Sequence, residues 1–417
     1  MLKTNSIEEQ LVAITGAPHV RAGGDAISGV LPQFFVEPED ERQLAAVLAY
    51  ANENSLSVIP RGGGTKLDWG NAPKSADLIL STARLNRIVE HAWADLTVTV
   101  EAGCTLQSLQ SALAQHGQRL AFDGLWPERA TIGGVLSTNE SGALRLRFGA
   151  LRDLIIGVTF ALPEGTLASS GGKVVKNVAG YDLPKLATGA FGTLGIITRA
   201  VFRLHPLPRF AKTISFTAEN LAAMQTHLLV VHDSKLAHTA VQFCCGSETP
   251  LRADILFEAT EEGISAQELA LQEIIGLTPV AQSSETVWKA RQDLWTSSEN
   301  SVIAKIGVLP ADFANTVERI AGIARAESLQ WQLVGQATGI AVLRFKGQPA
   351  QLAAGVNQAR TAQEQAGGSL VVLLHPSEFD HLDAWGNPGD ALPLMRAVKH
   401  QLDPKNTLNP GRFVGGI

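Results

Sequence analysis

A glycine-rich stretch in the first quarter of the chain has the residue types that bind anionic groups. It reads Pro60-Arg61-Gly62-Gly63-Gly64-Thr65-Lys66-Leu67 and follows the apolar run 56–59. Because glycine adopts φ > 0 and lets the backbone approach a ligand closely, such a loop can turn several N–H groups towards a phosphate. Arg61 and Lys66 add positive charge, and Thr65 adds a hydroxyl donor. The stretch therefore predicts a loop that holds a pyrophosphate.

A plain glycine-rich turn is the alternative interpretation of this stretch. Two common nucleotide-binding motifs do not fit it: a Rossmann fingerprint needs a third glycine where Leu67 stands, and a P-loop needs Ser or Thr after the lysine. Pro60 has no N–H to donate, so we expect it to end the preceding strand. The choice between the two interpretations depends on the segments that follow.

A second segment, residues 127–142, combines small residues and hydroxyls with a glycine pair. Its candidate contact residues are Thr131, Gly133, Gly134, Ser137 and Gly142. Small side chains allow two backbones and a flat ligand to come close together. The alternative is a tight junction between a helix and a strand.

The elements around these segments alternate between strands and helices. We expect a helix over 36–54 with Pro38 in its first turn, a half-buried strand over 96–100, and a helix capped by Thr105. A hairpin is predicted over 154–170. Asp182 is predicted to cap a helix that runs to about residue 191, and a strand follows over 196–204.

The character of the sequence changes after Pro208. Glycine motifs become rarer, and strands alternate with helices, one strand region being predicted over 334–343. We therefore predict a domain over 1–208, an α+β domain over 209–369, and a C-terminal segment 370–417 that returns to the first domain and has a helix near 392–402.

Composition limits the possible functions. Hydrophobic residues make up 45% of the 417 residues and charged residues only 18%, below the roughly 25% of an average soluble protein. This shortage of charge indicates surface that is covered by a partner. The net charge of -6 argues against nucleic-acid binding, and no apolar run is long enough for a membrane span.

The three cysteines, Cys104, Cys244 and Cys245, include no C-x-x-C pair. They cannot form a disulfide framework or a cluster site, so we expect a reducing, cytoplasmic location. The polar N-terminus is unlike a signal peptide. Electrons that this chain handles would leave through something other than an internal iron–sulfur cluster.

Four segments taken in order resemble one known family. Residues 60–67, 131–142, 173–198 and 403–413 together resemble the FAD-binding domain of the p-cresol methylhydroxylase and vanillyl-alcohol oxidase superfamily. Residues 173–183, the Asp383-x-Trp385-Gly386 stretch and the Asn-Pro-Gly-Arg-Phe ending look like the FAD-binding E subunit of bacterial glycolate oxidase. The resemblance implies an α+β fold, in which a two-part FAD-binding domain carries an inserted α+β cap domain.

The resemblance also implies which residues contact FAD. The glycine loop would wrap the pyrophosphate, the second segment would lie along the flavin and ribityl chain, and the strand after residue 194 would give backbone contacts. The implied cofactor-binding residues are Pro60, Arg61, Gly62, Gly63, Gly64, Thr65, Lys66, Thr131, Gly133, Gly134, Ser137, Gly142, Gly195, Ile196 and Ile197. Because residues 60–67 contain neither His nor Cys, we expect non-covalent FAD.

Oxidation of a 2-hydroxy acid needs a cation for the carboxylate, a base for the hydroxyl proton, and the flavin as hydride acceptor. Arg252, Arg291 and Arg344 lie in the domain where relatives place substrate contacts, with a solvated surface arginine as the alternative for each. Arg291 and His375 are the catalytic candidates. His375, Glu378, His381 and Asp383 form a cluster of possible bases or ligands, but the His-Gly-rich metal signature of relatives is missing, so we expect no metal.

The resemblance implies a glycolate oxidase or dehydrogenase subunit that oxidises glycolate, or a similar acid such as D-lactate, and passes electrons to a partner. Its usual companions are a second flavoprotein of the same superfamily and an iron–sulfur subunit, with peripheral attachment to the inner face of the plasma membrane at most. Three alternatives stay open: a non-catalytic flavin-carrying or structural subunit, a stand-alone FAD-dependent 2-hydroxy-acid dehydrogenase, and a reductase linked to a nicotinamide.

Overall fold

The computed structural model describes residues 4–173, 181–276, 281–296, 299–379 and 382–417. Most of the stretch that resembles the E subunit, residues 174–180, lies outside them, as does His381. The chain divides into two compact units. Unit 1 comprises residues 1–141, 149–207 and 388–417, and unit 2 comprises residues 142–148 and 208–387.

In chain order, the strands are β1 (Val20–Ala22), β2 (Phe34–Val36), β3 (Val58–Arg61), β4 (Leu78–Ser81), β5 (Ile88–Ala92), β6 (Thr97–Glu101), β7 (Gln118–Arg119), β8 (Ile155–Ala161), β9 (Leu167–Gly171), β10 (Ile196–Arg203), β11 (His205–Pro206), β12 (Phe210–Thr217), β13 (His238–Gly246), β14 (Arg252–Ala259), β15 (Ala281–Ser283), β16 (Ser301–Gly307), β17 (Gln330–Gln336), β18 (Ile340–Lys346) and β19 (Ser369–Leu374). The α-helices are α1 (Thr4–Thr15), α2 (Glu41–Glu53), α3 (Leu106–Ala114), α4 (Ile132–Ser137), α5 (Arg145–Phe148), α6 (Leu151–Leu154), α7 (Leu183–Ala187), α8 (Leu221–Asp233), α9 (Glu261–Ile275), α10 (Ala290–Asp293), α11 (Phe313–Ala326), α12 (Pro349–Gln365) and α13 (Leu392–Leu402).

Unit 1 contains two main sheets with separate cores. The four-stranded sheet has the order β1-β2-β4-β3, in which β2, β4 and β3 are parallel neighbours. The five-stranded sheet, β5-β6-β10-β8-β9, is antiparallel. Leu44, Val47 and Leu48 of α2 pack on the first sheet, and Leu106 and Leu109 of α3 pack on the second. These two sheets agree with the two-part domain that the sequence resemblance implies.

Unit 2 is built on one antiparallel sheet of eight strands, in the order β15-β12-β14-β13-β17-β18-β16-β19. Alternate side chains of its strands form a large apolar cluster with residues of α8, α9, α11 and α12. Strands and helices alternate along unit 2, so the α+β prediction is confirmed. Because β19 pairs with β16, the chain returns to unit 1 only at Pro388, later than the predicted boundary at residue 370.

Caps and hairpins agree with their sequence signals. Thr105 caps α3 by accepting a hydrogen bond from the Ser108 N–H at 3.2 Å, and Asp182 caps α7 through the Lys185 N–H at 3.3 Å. Strands β8 and β9 form the predicted hairpin. Asp40 caps α2 through two N–H groups, so this helix begins at Glu41 and not near residue 36. These caps work because a side-chain oxygen satisfies N–H groups that the first helical turn leaves unpaired.

Four sequence predictions were wrong in detail. Pro60 lies within β3 because β3 is the edge of its sheet, where a missing N–H is tolerated. Strand β6 is buried along its whole length, not half-buried, since it lies between two other strands and under α3. The predicted strand region 334–343 is not one strand: it contains the end of β17 and the start of β18, which are joined by a turn at Gly339, whose φ is 84°. Helix α7 also ends at Ala187, before residue 191.

Candidate FAD site

One cavity of unit 1 gathers segments that are far apart in the sequence. It is lined by Pro60, Arg61, Gly62, Gly63, Gly64, Thr65, Lys66, Leu67, Thr82, Thr131, Gly133, Gly134, Ser137, Thr138, Phe191, Gly192, Gly195, Ile196, Ile197, Asn409 and Arg412. Of the residues predicted to contact FAD, Gly142 is the one that does not line the cavity. It begins the segment 142–148, which clusters with unit 2.

The glycine loop is packed so tightly that side chains would not fit. A Cβ on Gly63 would lie 1.8 Å from the Arg129 carbonyl oxygen, and a Cβ on Gly62 would lie 2.1 Å from Thr131 Oγ1. Gly64 has a φ of 74°, which L residues rarely adopt. The loop backbone therefore forms a wall of the cavity itself, as close approach to a phosphate requires.

Two buried polar atoms at the cavity have no hydrogen-bond partner among the described residues: Thr131 Oγ1 and Asn409 Oδ1. Buried polar atoms are nearly always hydrogen-bonded in folded proteins, so these two oxygens are expected to bond to a group other than the protein. A polar ligand would satisfy both. Together with the glycine loop, these atoms make the lining of the cavity suited to a polar ligand that carries phosphate groups, as FAD does.

Charges at the glycine loop are arranged differently from the sequence-based prediction. The Arg61 guanidinium is 3.2 Å from Asp25 Oδ2, and the Lys66 ammonium is 2.9 Å from Glu140 Oε2 in a buried ion pair. Both cations line the cavity. Part of the positive charge that the sequence assigns to a pyrophosphate is therefore balanced by the protein's own carboxylates.

The C-terminal segment contributes residues that the sequence analysis did not assign to the site. The Asn409 amide donates to the Phe191 carbonyl at 2.5 Å, and both residues have positive φ, 47° and 56°. The Arg412 guanidinium donates to the carbonyls of Leu67 and Trp69, directly after the glycine loop. Burial lowers the pKa of Arg412 to about 10. The Asn-Pro-Gly-Arg ending was the available sequence signal, but nothing local indicates that Arg412 contacts residues 343 and 345 positions away.

The C-terminal segment is anchored in unit 1 by a buried ion pair. The Lys399 ammonium is 2.5 Å from Asp403 Oδ2 and donates to the carbonyls of Thr193 and Leu408. The same carboxylate accepts hydrogen bonds from the N–H groups of Thr407 and Leu408. The segment that supplies Asn409 and Arg412 is therefore fixed to the strand region that starts at Ile196.

We predict that Lys399→Met lowers the free energy of unfolding by about 3 kcal/mol, because it leaves the Asp403 carboxylate buried without its cation. Urea unfolding measures this change. Lys405→Met is the matched control, since the exposed Lys405 donates only one hydrogen bond, to the Asn52 carbonyl, among the described contacts. Equal unfolding free energies for the two variants would contradict the anchoring role.

The candidate catalytic residues all lie in unit 2, in different environments. Arg291 is buried on α10, so the alternative of a solvated surface arginine was wrong for it. Arg344 donates to the Leu294 and Thr296 carbonyls and to Gln332, and Arg252 pairs with the buried Asp254 at 2.9 Å. His375 is half-buried, with Nδ1 2.8 Å from the Pro376 carbonyl. Arg252 and Arg344 therefore hold the sheet and the segment beside it together.

Lys305 on β16 is a cation that the sequence analysis missed. It is half-buried, and burial, followed by the nearby positive charge of Arg145, lowers its pKa. No carboxylate partner for it is found among the residues described. A lysine in a strand gives no sequence signal of burial. Burial and the neighbouring positive charge of Arg145 both disfavour the charged form of this lysine.

Neither a metal site nor a membrane span is evident in the described part of the chain. There, no three His, Cys, Asp or Glu residues are grouped so that they could hold a metal ion. The helices of that part also include none with the length and apolar character needed to cross a bilayer.

Comparison with known proteins identifies the fold. An FAD binding domain family matches residues 32–171, and the family of C-terminal domains of FAD linked oxidases matches residues 385–413. The solved structure of an alkyldihydroxyacetonephosphate synthase superposes with a TM-score of 0.76 at 17% identity, covering 97% of this chain and 84% of that one. This chain has a p-cresol methylhydroxylase-type FAD-binding fold. Its cofactor is FAD, and it is an FAD-dependent oxidoreductase.

Three curated relatives align over nearly the whole chain. Glycolate oxidase subunit GlcD of Bacillus subtilis is 25% identical over 98% of this chain and 97% of its own length. D-lactate dehydrogenase of Archaeoglobus fulgidus is 27% identical over 91% and 90%. D-2-hydroxyglutarate dehydrogenase of Xanthomonas citri is 27% identical over 92% and 89%. The resemblance to a glycolate oxidase subunit is thereby confirmed.

Proposed function

We propose that this chain is the FAD-binding subunit of a glycolate oxidase or dehydrogenase complex. It oxidises glycolate, or a similar 2-hydroxy acid such as D-lactate, to the 2-oxo acid and passes the electrons to a partner. The observation that carries this proposal is the agreement of the three relatives: each is named for a 2-hydroxy acid or its oxidation, and each aligns over at least 91% of this chain.

We propose that the cavity residues of unit 1 hold the cofactor without a covalent bond. The backbone of Gly62, Gly63 and Gly64 contacts the pyrophosphate, while Thr131 and Asn409 hydrogen-bond to the cofactor through their unpartnered oxygens. Non-covalent binding is supported by the lining of the cavity, in which the reactive side chains are hydroxyls and amines rather than imidazoles or thiols. When bound, FAD supplies the two-electron acceptor for the alcohol.

The substrate carboxylate needs a cation, and Lys305 is the side chain best suited to that role. Its burial beside Arg145 destabilises the charged form, as the lowered pKa shows, and a bound carboxylate would relieve this cost. Arg252 and Arg344 already hold protein groups. Lys305 therefore joins the predicted Arg291 and His375 as a candidate for substrate recognition.

We propose partners that accept the electrons: a second flavoprotein of the same superfamily and an iron–sulfur protein. The three cysteines are buried and free, and burial raises the pKa of Cys104 to about 11 and of Cys244 to about 12. They are therefore unreactive thiols. Helix α13 exposes Leu394 and Met395, and its buried residue is Lys399. This exposed apolar surface supports a hetero-complex in the cytoplasm, with peripheral membrane contact only through partners.

Anaerobic mixing tests the activity. We expect glycolate or D-lactate to bleach the visible absorbance of the bound flavin of the isolated chain, and NADH to leave it unchanged. Dithionite reduction of the same sample first confirms that a reducible flavin is present. If no 2-hydroxy acid bleaches the flavin absorbance, the result would favour a non-catalytic flavin-carrying subunit. Bleaching by NADH would favour the nicotinamide-linked alternative.

Co-purification tests the proposed hetero-complex. Protein purified from its native cell is expected to carry the cluster-bearing partner in near-equal amount.

A further inference from the structure

A buried ion pair lies directly beside the glycine loop. Lys66, the residue after Thr65, has its ammonium 2.9 Å from Glu140 Oε2, and the two side chains are 4% and 2% exposed. Ion pairs at such burial are sensitive to the removal of one partner, because the remaining charge is left in a medium of low dielectric constant. The pair therefore fixes how much charge the protein presents at this position.

The surroundings hold both charges in place. Glu140 Oε1 accepts a hydrogen bond of 2.6 Å from the Leu125 N–H. The Lys66 ammonium lies 5.6 Å from the centroids of the Trp69 and Trp126 rings, a distance at which aromatic faces attract a cation. It also lies 3.2 Å from Thr65 Oγ1. The Lys66 ammonium is therefore held in one position by contacts on several sides.

The ion pair joins two walls of the cavity. Lys66 belongs to the glycine loop and itself lines the cavity. Glu140 follows α4, whose residues Gly133, Gly134 and Ser137 also line the cavity, and the Glu140 N–H donates to the Val135 carbonyl. An anion bound at the loop would interact with both charges, with opposite signs, through little water.

We propose that Glu140 tunes the FAD affinity of the cavity by offsetting the charge of Lys66, and that Lys66 is the attractive member of the pair for the pyrophosphate. This inference rests on the proposed FAD site. Glu140 is a positioning residue: it acts on the ligand through Lys66. The role makes an unusual prediction, because removing a buried carboxylate from the pair should destabilise the fold and yet strengthen binding of an anionic cofactor.

The test is a double-mutant cycle on the FAD-loaded protein. The dissociation constant is measured from free flavin fluorescence as holoprotein is diluted, and thermal unfolding is followed in parallel. We expect Glu140→Gln to tighten FAD binding about tenfold, because the charge of Lys66 is then no longer offset. Lys66→Met is expected to weaken FAD binding about 100-fold, because the attractive cation is lost while the negative charge of Glu140 remains. The double variant Lys66→Met/Glu140→Gln is neutral at this position. It is expected to bind FAD more tightly than Lys66→Met alone.

If the ion pair only stabilises the fold, a different order of FAD affinities is expected. Each single change would then weaken FAD binding in step with its loss of thermal stability, and the double variant would bind no better than Lys66→Met. This order would overturn the inference. If Glu140→Gln does not fold, the comparison of Lys66→Met with the double variant still decides. ADP, used as a competitor, should follow the same order of affinities as FAD because it contains the pyrophosphate.

The control pair is Lys212 and Glu268 in unit 2, whose charged atoms are 2.6 Å apart. Lys212→Met and Glu268→Gln should leave the FAD dissociation constant unchanged. The wild-type measurement distinguishes a failure of the proposed FAD site from a failure of the proposed tuning by Glu140. A wild-type protein that does not hold FAD would refute the proposed site, whereas a wild-type protein that holds FAD, with variants of unchanged affinity, would refute only the tuning by Glu140.

Discussion

Gly63→Ala is expected to lower the affinity for FAD at least about 100-fold, because a misplacement of about 1 Å in a positioning element can cost that factor. The added Cβ would lie 1.8 Å from the Arg129 carbonyl oxygen and 2.8 Å from the carbonyl carbon. Backbone atoms cannot rotate away as a side chain can. The loop or the segment 129–131 must therefore move, and both line or support the cavity.

The measurement is the flavin content of the purified protein and the dissociation constant of FAD. Gly322→Ala is the matched control: Gly322 lies inside α11, and a Cβ there would meet nothing within 4 Å. Alanine at this position should stabilise the helix by about 0.5–1 kcal/mol and leave FAD binding unchanged. Full flavin content with unchanged affinity in a folded Gly63→Ala protein would show that the loop does not position the cofactor.

Gly62→Ala is expected to reduce FAD affinity less than Gly63→Ala does. A Cβ at Gly62 would meet the side-chain oxygen of Thr131 at 2.1 Å, and that hydroxyl can turn away about χ1. Its effect on affinity should be smaller than that of Gly63→Ala. The two neighbouring glycines thus separate a contact with backbone from a contact with a movable side chain.

Local signals in the sequence accounted for much of the fold. The Thr105 and Asp182 caps, the β8–β9 hairpin and the helix near 392–402 are each determined by residues within a few positions of one another. The boundary errors have a common cause. Whether Pro60 is in a strand depends on β3 being an edge, and the burial of β6 depends on its two neighbours. Such facts are properties of the sheet and not of the segment.

The candidate site was predictable where glycine or small residues mark it and not where side chains reach it from afar. Fourteen of the fifteen predicted contact residues line the cavity, and Gly142 is the exception. Asn409, Arg412 and Phe191 were missed because their roles depend on contacts across more than 200 positions. The pairing of Lys66 with Glu140 was likewise not predicted, because the sequence gives no signal that two opposite charges 74 positions apart are in contact.

The second large effect is expected at Lys305. Lys305→Met should lower kcat/KM for the 2-hydroxy acid about 100-fold or more, which corresponds to about 3 kcal/mol for the loss of a half-buried cation that pairs with the substrate carboxylate. The flavin content should not change, because the residues that line the cavity all belong to unit 1. Lys346→Met on β18 of the same sheet is the control, since Lys346 is exposed.

Stability separates this functional role from a structural one. Burial, together with the positive charge of Arg145, lowers the pKa of Lys305, so the charged lysine costs folding free energy. Replacement by the apolar Met removes that cost, and the variant should unfold at a higher temperature than the wild type at neutral pH. A variant that is more stable yet inactive identifies a residue retained for binding. A variant that is less stable and fully active would contradict the proposal.

The pH dependence gives the same proposal an independent test. The folded-state pKa of Lys305 lies below its value of 10.5 in the unfolded chain, so between the two values the unfolded state binds more protons. Over that window, the stability of the wild type rises with pH relative to Lys305→Met, and the advantage of the variant disappears. Substrate affinity must move the other way, because only the protonated lysine attracts a carboxylate. Wild-type protein should therefore lose affinity for the 2-hydroxy acid while it gains stability as the pH rises through the lowered pKa, and Lys305→Met should show neither change.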